Sequence, residues 1–325
     1  MLYAHAPQQI SREIGIHCQL RRKYLSPTHT IRMFLSQPKL KFRMLRWNQI
    51  DKNFVSVEVG KAYNEQPFYW TTFYYYNGLI IDTGCPHTTE ESLGFIEKMN
   101  FEVKAILLTH FHEDHSGGVH LFQEKLDAEV FAPRKSIKIL ADPPQIPLYR
   151  QMVWGQPKPV RAKPLEKKMK FGQTEISTFS TPGHSFDHVS FLIENKLFMG
   201  DLVANPMPII IMRQEDYIAL MDSLKTILQL NFETAYGGHG IWDKNSINQT
   251  LNNIMKLKKK VDTLSSKGLS VDQMVEAIFP DVPKKVLMME ELSEFEWSRK
   301  NLVESLLGLM HNRPSLCAQC EPVNC

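Results

Sequence analysis

Four side chains able to bind a metal ion, His110, His112, Asp114 and His115, crowd into Thr109-His110-Phe111-His112-Glu113-Asp114-His115-Ser116-Gly117-Gly118, directly after the apolar run 103–108. Imidazole nitrogens with carboxylate oxygens suit zinc and related first-row ions, whereas thiolates would point to a closed structural site. A His/Asp-rich loop can also be merely polar. Against that stand further ligand types downstream: Thr181-Pro182-Gly183-His184-Ser185, Gly200-Asp201 and Gly237-Gly238-His239-Gly240. Each emerges from an apolar run through a glycine, which permits a tight turn and close approach of the backbone to an ion. A lone histidine at a strand end is more often a hydrogen-bonded structural residue, but three such sites share one predicted sheet edge with the first cluster.

Alternating strands and helices must carry these residues. Residues 54–59 and 68–76 are β-branched or aromatic runs, and Asn77-Gly78 offers the two φ > 0 positions of a type I′ hairpin turn before Leu79-Ile80-Ile81. Thr88-Thr89-Glu90-Glu91 predicts a capping box for a helix through about residue 99, which leads into a strand over 103–109. A helix over 116–126, a short strand over 129–131 and a helix over 136–141 follow. Between 142 and 164, Pro143, Pro144, Pro147, Pro157, Pro159 and Pro164 exclude a long helix or central strand, so the segment reads as an ordered loop. Strands are predicted over 175–180, 189–194 and 197–199, the last pair joined at Asn195-Lys196, and over 234–236. Beyond Trp242, Ile247, Leu251, Ile254, Met255, Val261 and Leu264 recur at helical spacing. Ser270-Val271-Asp272-Gln273 caps a second helix that Pro280 ends, and a third helical stretch runs from about 284 to 310. Their Leu and Met faces read as core contacts.

With 325 residues, 43% of them hydrophobic, the chain can bury a full core and carry an appendage. A formal charge of +3 is too small to argue for nucleic acid. No apolar run approaches the roughly 18 residues that cross a bilayer, so the expectation is a soluble protein with no membrane partner. Cys18, Cys85, Cys317, Cys320 and Cys325 are odd in number and scattered, which describes no disulfide framework and points to a reducing, cytoplasmic setting. The first 46 residues are basic: Arg12, Arg21, Arg22, Lys23, Arg32, Lys39, Lys41, Arg43 and Arg46 face only Glu13. They lack the apolar core of a secretory signal and read as an extension the fold does not need, ahead of a transit peptide or an arm for an anionic surface. The expected organisation is a basic extension, poorly ordered, over 1–46, a catalytic domain over 47–243, a helical subdomain over 244–312 and a cysteine-containing tail over 313–325. Cys317-Ala318-Gln319-Cys320 resembles half a zinc or redox motif but has no second pair.

Ile81-Asp82-Thr83-Gly84, His110-x-His112-x-Asp114-His115, His184, Asp201 and His239, in this order, resemble the metallo-β-lactamase superfamily over roughly residues 54–242. The resemblance implies an α/β fold, an αββα sandwich of two mixed sheets between helical layers, with a two-metal site at their shared edge. It implies that His110, His112 and His184 bind one zinc and Asp114, His115 and His239 the other, with Asp201 bridging the two ions. Asp82 would orient the first cluster through hydrogen bonds. His112 stands where diiron flavoproteins of this fold carry glutamate, so zinc is expected. Asp201 replaces the cysteine of the subclass B1 β-lactamases. Gly-His-Gly around His239, and Asp187-His188, depart from the glyoxalase II pattern. The helical segment after Trp242 is similar to the winged-helix-like tail of lactamase-beta-like proteins, some of which cleave single-stranded RNA.

Two zinc ions imply hydrolysis, by a metal-bridging hydroxide attacking a small ester, thioester or lactone. An endoribonuclease or phosphodiesterase is the rival enzyme, and a metal-bound regulator or scaffold the rival without turnover. Asp114 is a ligand first and could also steer a proton. His188 is either a rim residue that stabilises a developing oxyanion or a satisfied structural histidine. Tyr149, Trp154 and Arg161, on the proline-rich loop, are expected at the substrate rim, with aromatic contacts for an apolar body and a cation for an anionic end. The expected partner is a small-molecule substrate. The tail could mediate a homodimer, and the Lys256-Leu257-Lys258-Lys259-Lys260 run lacks the aromatics that would favour nucleic acid.

Overall fold

Strands dominated by Val, Tyr, Phe and Ile pair into two sheets whose apolar faces meet. The computed structural model describes residues 42–63 and 66–309. The first sheet runs in spatial order β1 (Phe42–Asp51), β2 (Phe54–Tyr63), β3 (Gln66–Tyr76), β4 (Leu79–Ile81), β5 (Ala105–Leu107), β6 (Glu129–Ala132), β7 (Lys163–Pro164). It is antiparallel from β1 to β4 and parallel from β4 to β7. The second sheet comprises β8 (Lys168–Phe171), β9 (Thr174–Ser180), β10 (Val189–Ile193), β11 (Lys196–Gly200), β13 (Thr234–Gly237) and β14 (Gly240–Trp242), in the order β14-β13-β11-β10-β9-β8. Only its β11–β13 pair is parallel. A two-stranded ribbon joins β12 (Ile211–Met212) to β15 (Trp297–Ser298).

The helices are α1 (Thr89–Lys98), α2 (Glu113–Ser116), α3 (Val119–Leu126), α4 (Ile137–Ala141), α5 (Leu148–Val153), α6 (Tyr217–Leu228), α7 (Lys244–Ser266), α8 (Val271–Ile278), α9 (Lys284–Leu292) and α10 (Arg299–Leu306). Between the sheets Phe54 meets Phe198 and Tyr236 edge-on, at ring separations of 5.7 and 4.7 Å, the geometry that aromatic quadrupoles favour. On the outer face of the first sheet, Ile96 and Phe122 from α1 and α3 pack on Val57, Phe73 and Ile106. On the outer face of the second, Leu224, Ile254 and Leu302 from α6, α7 and α10 pack on Leu197, Met199 and Ala235. The result is the expected αββα sandwich with C-terminal helices, and those helices share the core of the second sheet. Among the described residues no helix is long and apolar enough to cross a membrane.

Asn77 and Gly78 both take positive φ, 50° and 89°, and close the β3–β4 hairpin as the sequence predicts. Ser270 and Gln273 form the expected capping box of α8. The capping box predicted for α1 does not form. A 3-10 turn, Pro86–Thr88, leads straight into that helix, and the Thr88 hydroxyl donates to the Cys85 carbonyl instead. The stretch predicted as one helix over 284–310 is broken after Leu292, where Glu294 and Phe295 adopt left-handed φ before β15. Ser298 then caps α10 by accepting from the Asn301 amide. Residues 42–46, placed by sequence in the basic extension, lie in β1, where their backbone pairs with β2; residues 1–41 and the cysteine tail 313–325 lie outside the described residues. The proline-rich segment includes one short helix, α5, and the two-residue edge strand β7.

Candidate metal centre

Every ligand type picked out in the sequence sits where a strand ends at one edge of the sandwich. His110 and His112 follow β5, and Asp114 and His115 occupy the single turn of α2; His184 follows β9, Asp201 follows β11, and His239 lies between β13 and β14. The two sheets are stitched together there by Val189 N–H to the Thr109 carbonyl (2.9 Å) and Thr72 N–H to the Gly238 carbonyl (2.8 Å).

These side chains form two clusters. His110, His112 and His184 make one; Asp114, His115, Asp201 and His239 make the other; within each, the ligand atoms lie within 4.8 Å of one another. In the first, His112 Nδ1 lies 3.0 Å from His110 Nε2 and 2.8 Å from His184 Nε2. In the second, Asp201 lies 3.0 Å from His115 Nε2 and 3.1 Å from His239 Nε2, and it also approaches His184 Nε2 at 3.6 Å. Asp201 thus stands between the clusters.

The outward nitrogens decide what the inward ones can do. Asp82 leaves β4 at φ 60°, and its Oδ2 accepts from both the Thr109 hydroxyl and His115 Nδ1, each at 2.8 Å. With its own proton given to Asp82, the Thr109 oxygen accepts from His110 Nδ1 at 2.9 Å. His184 Nδ1 faces Glu215 Oε1 at 3.3 Å, and His239 Nδ1 donates to the Trp70 carbonyl at 3.0 Å. The Gln214 side-chain amide lies against His112 Nε2. Protons on the outer nitrogens of His110, His115, His184 and His239 leave lone pairs on their inner ones, aimed inward, where only a cation or added protons relieve their repulsion. His115 Nε2 and Asp201 Oδ1, both buried, face each other at 3.0 Å with no other hydrogen-bond partner. A carboxylate-and-imidazole donor set of this kind fits zinc-like ions.

Charge separates the clusters. Burial, followed by the neighbouring rings, pushes His110 and His112 well below the ordinary imidazole range, so they stay neutral donors. Burial also opposes the charge on His115, but Asp201, Asp82 and Asp114 outweigh it and push its pKa well up. Burial alone would raise Asp201; His115 and His239 hold it far below the usual carboxylate range instead. Burial opposes the charge on His184 and His239 as well, but Glu215 pushes the first up and Asp201 the second, so only His110 and His112 are held neutral, and the second cluster pairs its carboxylates with imidazoles drawn toward their charged form.

The remaining expectations divide. His188 is fully buried; its Nδ1 meets Thr181 Oγ1 at 2.9 Å and its Nε2 accepts the Asp201 amide at 3.2 Å. Both nitrogens are committed, and burial, its largest cause, lowers the pKa to about 3, so the ring is a neutral support for Asp201 with no free donor for an oxyanion. Trp154 packs on Tyr69 at 5.9 Å, two positions along β3 from Thr71, whose hydroxyl donates to the Asp114 carbonyl at 3.3 Å. Trp154 is thus brought to the metal edge. Tyr149 points inward, its hydroxyl donating to Glu296 at 2.8 Å. Arg161 is not at the rim: it precedes β7, beside Gln123, Asp127 and Glu129 at the start of β6, whereas the ligands follow the ends of their strands. Sequence reasoning missed Gln214, Glu215, Glu113 and Asp187. The last accepts the Phe111 amide at 3.0 Å between two ligand histidines. The polar run Arg213-Gln214-Glu215-Asp216, just ahead of α6, was the available signal.

The model of the metallo-beta-lactamase superfamily matches residues 77–239. An atrochrysone carboxyl ACP thioesterase from Aspergillus fumigatus is 30% identical over 230 residues, 64% of this chain and 66% of its own length. Thioesterase pkgB from Emericella nidulans is 30% identical over 172 residues, 50% and 42% of the two chains. A hydroxyacylglutathione hydrolase from Methylobacillus flagellatus is 28% identical over 137 residues, 42% and 47%. The chain therefore spans between about two-fifths and two-thirds of these relatives' lengths. A metallo-beta-lactamase family protein from Thermus thermophilus superposes with a TM-score of 0.56 at 18% identity, covering 81% of this chain and 94% of that one. A metallo-beta-lactamase from Pontibacter korlensis gives 0.53 at 18%, covering 65% and 98%. Likeness at that identity concerns the fold alone.

Proposed function

Because the chain belongs to the metallo-beta-lactamase superfamily, we propose that it is a metal-dependent hydrolase, that it holds two zinc ions, and that its substrate is a small acyl thioester. The observation that carries the metal reading is the convergence of inward lone pairs in two clusters, with each histidine's outer nitrogen engaged. The thioester choice among esters, thioesters and lactones rests on relatives named as thioesterases and as a hydroxyacylglutathione hydrolase.

His110, His112 and His184 would hold one ion; Asp114, His115 and His239 the other; Asp201 would reach both. Ions bound there make water acidic enough to ionise near neutral pH and withdraw charge from a carbonyl oxygen. The chain's own groups set the geometry. Asp82 orients His115 directly and His110 through Thr109, and His188 fixes the Asp201 backbone. Asp114 and His239 have the most exposed side chains of the set, 13% and 16%, so the substrate would enter from their side. Trp154 and Tyr69 border that side and would cover an apolar acyl body, excluding water from it.

The test is metal analysis joined to turnover. Wild type should carry two zinc ions per chain and hydrolyse acyl thioesters, losing activity to a chelator and regaining it with zinc. His112→Ala and Asp201→Ala should lose metal and turnover together. The same protein is offered lactones, bis-p-nitrophenyl phosphate and single-stranded RNA. Chelator-sensitive cleavage of RNA alone would sink the thioester assignment.

A further inference from the structure

The C-terminal segment braces His112 and His184 of the three-histidine cluster through residues 211–217, and it reaches the acidic cluster only at the α2 turn. β15 pairs with β12 in the register Ile211↔Ser298 and Met212↔Trp297, and Arg213 N–H donates to the Glu296 carbonyl at 2.8 Å. Asn301 Nδ2 donates to the Ile211 carbonyl at 3.2 Å, and Ser305 Oγ donates to the Glu215 carbonyl at 2.9 Å while accepting the Tyr217 amide at 2.7 Å. Residues 211–217 are thereby fastened at both ends by the tail. That fastened stretch carries Gln214 to His112 and Glu215 to His184.

A buried ion chain makes the second connection. Glu113, between ligands His112 and Asp114, is gripped by both Nε and Nη2 of Arg150 at 2.6 Å, and Arg150 Nη1 reaches Glu296 at 3.0 Å. Side-chain exposures of 3%, 9% and 8% place Glu113, Arg150 and Glu296 out of water, where breaking a pair leaves an uncompensated charge. Arg150 is therefore committed within the protein and is not free to hold a substrate anion. The imidazoles of the acidic cluster take their braces elsewhere: His115 from Asp82 at the end of β4, and His239 from the Trp70 carbonyl on β3.

We propose that the hydrogen bonds from Asn301 and Ser305 to residues 211–217 position the three-histidine cluster, so that cutting them lowers the affinity of one of the two metal positions and spares the other. This rests on the two-ion reading above. Gln214 and Glu215 are positioning residues, acting on the ion through His112 and His184, whereas Arg150 and Glu296 hold the α2 turn, which carries Asp114 and His115 of the other cluster.

The experiment counts zinc per chain after dialysis and measures each affinity by chelator competition, with cobalt absorption reporting the geometry of each position. Ser305→Ala cuts the brace on residues 215–217 and Asn301→Ala cuts the brace on Ile211, so either serves if the other folds poorly. Leu302→Ala is the control: Leu302 is fully buried on the same helix, and its loss removes packing without touching these hydrogen bonds. Ser305→Ala and Asn301→Ala should fall from two ions to one, with at least a tenfold loss at the weaker position, as for other outer supports of metal ligands. Leu302→Ala should lower the urea midpoint but keep both ions. Equal weakening of both positions, unchanged affinities in both variants, or ion loss that simply follows the urea midpoint through Leu302→Ala would overturn the proposal. Fewer than two ions in wild type would refute the two-ion reading itself, and the proposal with it.

Discussion

Gly238→Ala puts a methyl carbon 2.3 Å from Asp201 Oδ1 and 2.5 Å from His115 Cε1, where ordinary contact begins at 3.4 Å. Something must therefore move by about 1 Å. The backbone cannot yield cheaply, because Gly238 N–H donates to the Gly200 carbonyl and the Gly238 carbonyl accepts from Thr72, both at 2.8 Å. Asp201 is equally held, its amide on His188 and its carboxylate between His115 and His239. The displacement falls on the residue that stands between the two clusters. A misplacement of this size costs about 10²-fold in rate where positioning sets the barrier, and overpacking costs about 1–3 kcal/mol of stability. Turnover and zinc content should both drop, while circular dichroism stays native. Gly94→Ala is the matched control, since nothing lies within 4 Å of its added carbon. Wild-type zinc content and rate in Gly238→Ala would refute the close packing of this turn on Asp201.

Asp82→Asn weakens the acceptor that fixes His115 and, through Thr109, His110; zinc affinity should fall about 10–100-fold by chelator competition. An unchanged affinity would remove Asp82 from the support of the site. Trp154→Ala should raise KM for an acyl thioester with kcat nearly unchanged, whereas Arg161→Ala should leave both as in wild type; an effect of Arg161→Ala on KM would restore it to the rim. Cys85 is fully buried, and burial pushes its thiol pKa up despite hydrogen bonds from Thr88 and Tyr69. Because the thiolate is the nucleophile, the peptide containing Cys85 should escape iodoacetamide in the native protein and react once denaturant is added. Labelling under native conditions would contradict that burial.

The ligands were legible because each is announced locally. His110, His112, Asp114 and His115 share one short loop after a strand, and His184, Asp201 and His239 each follow an apolar run and a glycine. The β3–β4 turn and the α8 cap were equally local, set by Asn77-Gly78 and by Ser270 with Gln273. The α1 cap failed for a reason no window around Thr88 contains: the chain enters that helix from a 3-10 turn that already uses the hydroxyl. β8 was missed because Lys168-Met169-Lys170-Phe171 is a short, half-exposed edge strand held by pairing with β9.

Sequence by itself determined the types and order of the donors, the fold family they belong to and the hydrolytic chemistry they imply, since residue identity and spacing along a strand end are local quantities. Tertiary structure alone decided which charged groups serve the site and which do not. Arg150 and Arg161 look alike as cations on one proline-rich loop, yet the first is buried between Glu113 and Glu296 and the second lies near the opposite ends of the strands. His188 is open to a rim or a structural role until Thr181 and the Asp201 amide take its two nitrogens. Gln214 and Glu215 become supports only when β15 seats against β12. The physical reason is burial: a charge or ring nitrogen acquires its role from the partners that replace water around it, and those partners lie from 7 to 146 residues away.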